Sequence, residues 1–504
     1  MPSVQVMISG SWDPAPRQAP CLAESLLLPL SLPLSPTDEK AKSGRPSIYE
    51  SATSNTSKEM TTYSDYPFPD RFPNYLHNSR IMEYLRMYVQ HFHLMKYIWF
   101  LLSESKVCSV RKCSDFSCTG QWDVIVEAAG KRESYVFDGI MVCSGLYTDP
   151  FLPLQNFPGI KRFKGQYIHS WEYKSPEKFR GKKIIVVGIG NLGADLAVEL
   201  SHVASQVWFL QFSFPRCTLP TCAWIWNRVW DNGMPVDAVL VTRFNAVLNR
   251  FYPTFLVNRR AENKLNARFN HDVYGLLPQH RYADTQPTEP PSDDLPNHII
   301  SGRVLIKPNT AQEEDLDVVI FATGYTFSFP FLENNSRVPD SQRSMFKFVF
   351  PPQLEKPTLA FIGILQPVGA TIPTLELHRR WVVRVLKGII MFKIHVMRDK
   401  HTIINLCHSV ALEYVDYMDE IASEIGVKPK LLSLFLWDPK LYHLWGPGKR
   451  AGARRAILTQ RAWIIKPLRT RALTRDQPPY SVPCWLKRAC ATLLFVLTLV
   501  IIIG

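Results

Sequence analysis

Gly188-Ile189-Gly190-Asn191-Leu192-Gly193 follows the β-branched run Lys183-Ile184-Ile185-Val186-Val187. It opens a segment whose apolar residues, Leu192, Leu196, Leu200 and Val203, recur at helical spacing. A strand, a glycine turn and a helix in that order are the context in which G-x-G-x-x-G binds a dinucleotide; without them the same letters describe only a turn. Gly188 permits the tight turn, Gly190 lets a pyrophosphate approach the backbone, and Gly193 lets helix and strand pack closely. The helix start supplies unpaired N–H groups and a positive dipole end. The next strand, Val207-Trp208-Phe209-Leu210, carries no acid, and none occurs between Glu199 and Asp231. A ribose 2′-phosphate therefore meets no repulsion there, which favours NADP over NAD. Arg216 is the only cation from Gln211 to Cys222 and is the candidate partner for that phosphate.

Working outward, Phe163, Gly165, His169 and Tyr173 spell F-x-G-x-x-x-H-x-x-x-Y just upstream of the fingerprint. Asn55-Thr56-Ser57-Lys58-Glu59-Met60, Cys143-Ser144-Gly145, Phe321-Ala322-Thr323-Gly324-Tyr325 and the stretch from Gly446 to Gln460 stand in order around it. Together they resemble the flavin-containing monooxygenases, from about Gly44 to about Arg471. The resemblance implies an α/β fold with two dinucleotide-binding, Rossmann-like domains, the NADPH domain inserted into the FAD domain. It implies FAD and NADPH as cofactors, with O2 and a soft nucleophile as substrates: the nitrogen of an amine or the sulfur of a thioether in a small xenobiotic molecule, oxygenated through a C4a-hydroperoxyflavin. It implies, finally, a hydrophobic C-terminal anchor in the endoplasmic reticulum membrane, with the enzyme on the cytosolic face.

Carried over residue by residue, the resemblance makes Asn55 the catalytic asparagine. It assigns Ser54, Asn55, Gly188, Gly190, Asn191, Leu192, Gly193, Ala194 and Asp195 to NADP, and Asn55, Thr56 and Gln366 to FAD; Arg216 joins the NADP set as the one cation of a stretch where the chain departs from the family's Ser-, Thr- and Arg-rich turn. A neutral amide suits such a site, because it donates and accepts hydrogen bonds without delivering a strongly acidic proton. Taken without the resemblance, Asn55 in its N-T-S triplet reads as a turn residue or a glycosylation acceptor, and Gln366 as part of a buried turn. His169 reads as a structural hydrogen-bonder before it reads as a base, and Phe163 and Tyr173 as packing residues.

The expected organisation is a Pro-, Ser- and Leu-rich leader over 1–43, a first FAD segment over 44–150 and the NADPH domain over 151–316. A second FAD segment over 317–445, a basic juxtamembrane stretch over 446–488 and an apolar tail over 489–504 complete it. The leader reads as disordered, since Pro29 and Pro33 break its apolar run and no basic region precedes it. The family's opening unit, a strand and G-x-G-x-x-G turn for the FAD pyrophosphate, is absent, because residues 1–43 contain Gly10 and no other glycine. The FAD domain is thus incomplete, and the alternative function is a catalytically impaired member that binds NADP at most.

Composition limits the remaining classes. The chain has 504 residues, 46% hydrophobic and 20% charged, and a formal net charge of +14. That charge could suggest nucleic acid, but eleven Lys or Arg against Asp476 alone lie between Gly446 and Arg488, directly before the uncharged Ala489–Ile503. A basic flank beside an apolar tail fits a membrane surface better than a nucleic-acid groove. The tail is short for a straight span, which takes about 20 apolar residues. The ten cysteines form no C-x-x-C, so no metal site and no redox-active disulfide is expected.

Overall fold

The structure is a computed structural model. It describes residues 6–9, 48–97, 106–128, 130–188, 190–210, 224–225, 227–230, 233–277, 281–282, 293–307, 315–326, 329–332, 345–352, 354–365, 367, 369–390 and 414–428. The chain divides into two units, 1–463 and 464–504, and every described residue lies in the first.

In chain order the elements begin with β1 (Val6–Ser9), α1 (Lys58–Thr61), α2 (Asn78–His91), β2 (Lys106–Lys112), α3 (Phe116–Thr119), β3 (Trp122–Ala128), β4 (Lys131–Phe137) and β5 (Gly139–Val142). The linker strand β6 (Asp149–Pro150) leads to β7 (Gln166–His169), β8 (Lys183–Val187), α4 (Asn191–Leu200) and β9 (Gln206–Leu210). Then come α5 (Val236–Leu240), α6 (Arg243–Phe251), α7 (Thr254–Asn266), α8 (Leu295–Ile300), β10 (Val304–Lys307), β11 (Val318–Phe321) and β12 (Tyr325–Thr326). Last are β13 (Leu359–Phe361), α9 (Thr371–Leu386) and α10 (Tyr414–Glu424).

The glycine fingerprint sits in a parallel five-stranded sheet of order β10-β9-β8-β11-β7. Its inner strands β8 and β11 are buried on both faces, which is why they read as continuous apolar runs rather than alternating ones. Successive side chains still point to opposite sides. Ile184 and Val186 join Leu196, Leu200, Val207 and Ile299 in one core, under α4 and α8. Ile185 and Val187 face the other way with Val319 and Phe321, where Leu154, Phe157, Ile160 and Phe163 cover them. At roughly 1.5–3 kcal/mol for each fully buried aliphatic side chain, these two layers are what hold the turn in place.

β11 lies inside this sheet, hydrogen-bonded between β8 and β7. The second FAD segment expected from residue 317 would begin one residue before β11. The strand instead completes the fingerprint sheet, and the chain leaves it only at Thr323-Gly324. Periodicity reveals that a run is a buried strand, not which sheet receives it.

A second, smaller sheet has the order β1-β5-β13. β5 and β13 are parallel, with Ile140 opposite Leu359, and β1 is antiparallel to β5, with Ile8 opposite Ile140. The leader was expected to be disordered, yet Val6–Ser9 is a strand. The open edge of β5 explains this, because unpaired backbone N–H and C=O groups of a buried strand are costly and recruit any extended segment within reach. β3 and β4 form a hairpin, extended by β2 into an antiparallel three-stranded sheet.

Candidate functional site

The three glycines differ in what surrounds them. Gly188 adopts φ +115°, and a Cβ there would stand 2.4 Å from the carbonyl oxygen of Ala322, at the end of β11. A Cβ on Gly193 would meet the Gly188 carbonyl oxygen at 2.1 Å. Both are glycines because the protein's own backbone leaves no room. Gly190 has nothing within 4 Å of its missing Cβ and faces open space. It is also the N-cap residue of α4 and, as a glycine, brings no side chain to cap the helix. The first N–H groups of any α-helix lack intrahelical acceptors, so a bare, uncapped start with an open glycine beside it suits an anionic group.

Residues expected at this turn part company. Asn191 and Leu192 begin the helix half-buried, Leu192 resting against the apolar core. Ala194 is buried in that core, and its N–H already donates to Gly190 O at 3.0 Å. Asp195 points elsewhere: its Oδ2 accepts a hydrogen bond from the Tyr49 hydroxyl at 2.5 Å. Burial pushes the Asp195 carboxyl above its usual range, opposed by the Tyr49 hydrogen bond and the Arg228 charge. One turn on, Glu199 accepts from the Ser51 hydroxyl at 2.9 Å. Two polar contacts along one face of α4 thereby moor the segment that carries Asn55.

That segment is a turn held from several sides. The Ser54 hydroxyl donates to Thr56 O at 2.9 Å and accepts from Leu76 N at 2.8 Å, so it serves the turn itself. The Thr56 and Thr61 hydroxyls bond to each other at 2.6 Å. Ser57 donates both its N–H and its hydroxyl to buried Asp237 Oδ2, at 2.7 and 2.9 Å. Arg228 reaches across from the stretch before α5, donating Nη2–H to Asn55 Oδ1 at 2.9 Å and Nε–H to Ser54 O at 3.2 Å. Asp293 steadies Arg228, accepting its backbone N–H at 2.5 Å and lying 3.6 Å from its guanidinium. A guanidinium can only donate, so it fixes the Asn55 amide with Oδ1 toward Arg228 and Nδ2 as the donor end.

The motif upstream of the fingerprint proves structural. A Cβ on Gly165 would collide with both the Phe163 ring and Asp317 O, each at 2.4 Å. His169 is 1% exposed, its Nδ1 accepts from Trp171 N at 3.1 Å and its Nε2 meets Gly324 O at 3.0 Å. With Nδ1 accepting, Nε2 carries the proton and donates to that carbonyl. Burial pushes the ring down to about 4, and a neutral imidazole with both nitrogens engaged is no general base. It ties the entry to the sheet to its exit, where β6 and β12 also pair.

Sequence reasoning missed Arg228, Asp293, Tyr49 and Asp237. No spacing marks them; each matters through a partner 65 to 180 residues away. Arg216, Gln366 and the apolar tail over 489–504 lie outside the described residues. Among the described residues, no helix is long and apolar enough to cross a membrane.

The family described as flavin-binding monooxygenase-like matches residues 34–503. The chain is 47% identical over 481 residues to flavin-containing monooxygenase 5 of Rattus norvegicus, covering 88% of each chain. It is 43% identical over 487 residues to flavin-containing monooxygenase 2 of Homo sapiens, covering 89% of this chain and 88% of that one. Among solved structures, S-allyl-L-cysteine S-oxygenase from Allium sativum superposes with a TM-score of 0.51 at 19% identity, over 86% of this chain and 81% of that one. That likeness concerns the fold alone.

Proposed function

Because the chain belongs to the flavin-binding monooxygenase-like family, we propose that it is an FAD- and NADPH-dependent monooxygenase acting on soft nitrogen or sulfur centres of small molecules. The observation that carries the reading is the uncapped start of α4 beside the open face of Gly190. Gly188 to Gly193 would hold the pyrophosphate of NADPH, the helix dipole and first-turn N–H groups facing its charge. Ala194 would contribute packing only, and Asp195 would act through Tyr49 by holding the Asn55 segment. Arg216 and Gln366 retain their proposed roles toward the 2′-phosphate and the flavin.

For the flavin, the test of fit is the set of buried polar atoms without partners. Ser144 Oγ, just after β5, and Arg379 Nε and Nη1, on α9, are such atoms. Buried polar groups are costly unless something satisfies them, so these residues fit a bound polar, anionic group. When bound, the flavin supplies the redox chemistry with O2, and the protein supplies orientation and exclusion of water. Asn55 and Thr56 would line the junction between flavin and nicotinamide. The amide Nδ2–H2 of Asn55, oriented by Arg228, would be a donor in that junction that delivers no acidic proton. The reading extends to anchorage at the cytosolic face of the endoplasmic reticulum membrane through residues 489–504, supported by the basic stretch before them.

The deciding experiment is purification of the full chain from membranes, with its visible spectrum recorded before and after NADPH is added without oxygen. Flavin absorption that bleaches with NADPH, followed by oxygen uptake and conversion of a tertiary amine or thioether, is the expected result. A colourless protein that never oxidises NADPH would overturn the reading.

A further inference from the structure

The chain closes on itself between Arg228 and Asp237. Trp230 N–H donates to Met234 O at 2.7 Å and Val236 N–H to Arg228 O at 2.8 Å, and Val229 and Pro235 form an antiparallel bridge. Arg228 and Asp237 thus stand at the two neighbouring ends of one clasp. The clasp is mounted on α7. Trp230 and Val236 share a buried cluster with Leu265, and the Lys264 and Arg268 cations stand 4.5 and 4.4 Å from the centre of the Trp230 ring. Close packing of this kind leaves little freedom to the backbone it holds.

Both ends grip the same turn. Arg228 holds Ser54 O and Asn55 Oδ1, and Asp237 holds the fully buried Ser57 by its N–H and its hydroxyl together. Ser57 is the N-cap residue of α1, yet its hydroxyl makes no cap bond. A serine in that position ordinarily accepts from the first N–H groups of the helix; here its proton goes to Asp237. The back of the turn is closed as well. Lys58 N–H donates to Asn74 O at 2.6 Å, Ser54 N–H to Leu76 O at 2.8 Å, and the Tyr75 hydroxyl to Arg228 O at 2.6 Å.

This grip needs an acid. Three donors meet the Asp237 carboxylate, the two of Ser57 on Oδ2 and Ala238 N–H on Oδ1 at 2.9 Å. An ionised carboxylate accepts on both oxygens, whereas an amide accepts on one. Asparagine here would turn its N–H2 group toward a donor. A buried acid is costly, and packing alone would not demand one beside Ser57.

Resting on the reading of Asn55 as the amide at the junction of flavin and nicotinamide, we propose that Asp237 is a positioning residue of the oxygenation. Through Ser57 it fixes the turn from one side while Arg228 fixes it from the other, and Asn55 Nδ2 is thereby kept in one place. Loss of that placement diverts the reaction. NADPH, O2 and a proton then give NADP and hydrogen peroxide, instead of NADP, oxygenated product and water, and the soft nucleophile is left unoxidised.

The test compares the full chain as wild type, Asp237→Asn, Ser57→Ala and the double variant. It reads NADP affinity by titration, hydrogen exchange of the backbone over 54–58, kcat and KM for NADPH, and peroxide released per NADPH oxidised. Asp237→Asn should raise the peroxide yield and lower product-forming kcat about 10- to 100-fold, up to the scale of a misplacement of roughly 1 Å. KM for NADPH and NADP affinity should stay within about twofold, because the glycine turn is untouched. Exchange should quicken over 54–58 and stay slow in the fingerprint sheet. The double variant should fall no more than about twofold below the poorer single variant, since both changes sever one link. Unchanged kcat and peroxide yield in a flavin-bound Asp237→Asn overturn the proposal while the flavin reading stands. So does full additivity in the double variant, and so does exchange that quickens throughout the sheet, which would make Asp237 a purely structural residue. A wild type without flavin sinks the flavin reading, and the role of Asp237 falls with it. Should Asp237→Asn not fold, Ser57→Ala decides. It must lower kcat at least about threefold, the scale of one lost hydrogen bond, and unchanged turnover overturns the proposal.

Discussion

Gly190 and Gly193 stand three positions apart in one motif, yet they answer to different forces. An alanine at 193 would press its Cβ into the Gly188 carbonyl. Neither atom can move without shifting β8 or α4, so Gly193→Ala should cost several kcal/mol of stability, at or above the usual overpacking range of about 1–3 kcal/mol. Gly190→Ala meets no protein atom and sits at φ −69°, ψ 174°, a conformation any residue adopts. It should lower stability by less than about 1 kcal/mol, the scale of an N-cap change. Its methyl group would nevertheless stand between the helix start and a pyrophosphate, so NADPH affinity should fall at least about tenfold, or about 1.4 kcal/mol. Chemical denaturation and NADPH titration of both variants separate the two roles, and equal loss of stability would refute the division.

At the scale of elements, α4 does two jobs with two of its faces. One face packs Leu196 and Leu200 against the sheet, and the other receives Tyr49 and Ser51 through Asp195 and Glu199. The second face holds the Asn55 turn beside Arg228. Tyr49→Phe keeps the ring and removes only the hydroxyl, leaving the half-buried Asp195 carboxyl without that donor. The expected cost is about 2 kcal/mol, since the lost bond is to an acid held away from water. The glycine turn itself should be untouched, so NADPH binding should survive while flavin-coupled turnover falls as Asn55 loosens. A variant that loses NADPH affinity as severely as Gly190→Ala would contradict this separation.

At the scale of the whole molecule, the three most deeply buried histidines among the described residues share one electrostatic behaviour. Burial pushes His169 and His271 down to about 4 and His378 to about 3. His271 accepts from Ile225 N at 3.0 Å and meets Asn266 Oδ1 at 2.9 Å, while His378 bonds the Tyr417 hydroxyl at 2.5 Å. An unfolded histidine titrates near pH 6.5, so between that value and about 4 the unfolded chain binds more protons than the folded one. The stability these residues contribute is present above pH 6.5 and is lost as pH falls toward their folded values. Each could remove on the order of 3 kcal/mol by pH 4. Asp195, Asp237 and Glu199, which burial shifts upward, oppose that slope at its acid end. The clean measurement is therefore a difference. Unfolding free energy followed from pH 7 to 5 should fall less steeply in His271→Gln, by about one proton per molecule. Identical slopes would show that His271 titrates alike in both states.

The glycine turn, its strand and its helix were legible in the residues because their geometry is local. A φ of +115° at Gly188 and apolar spacing along α4 each leave a mark within a few positions. The sheet that receives β11, the pairing of β1 with β5, and the company kept by Asn55 were not. Arg228 lies 173 residues from Asn55, and Tyr49 lies 146 from Asp195. Contacts of that kind have no period and no motif, because nothing in the chain between the partners must repeat for them to form. Packing of Arg228 and α4 against residues 48–57 creates them. Local backbone chemistry wrote the nucleotide turn into the sequence; only the folded chain could decide which charges would be satisfied.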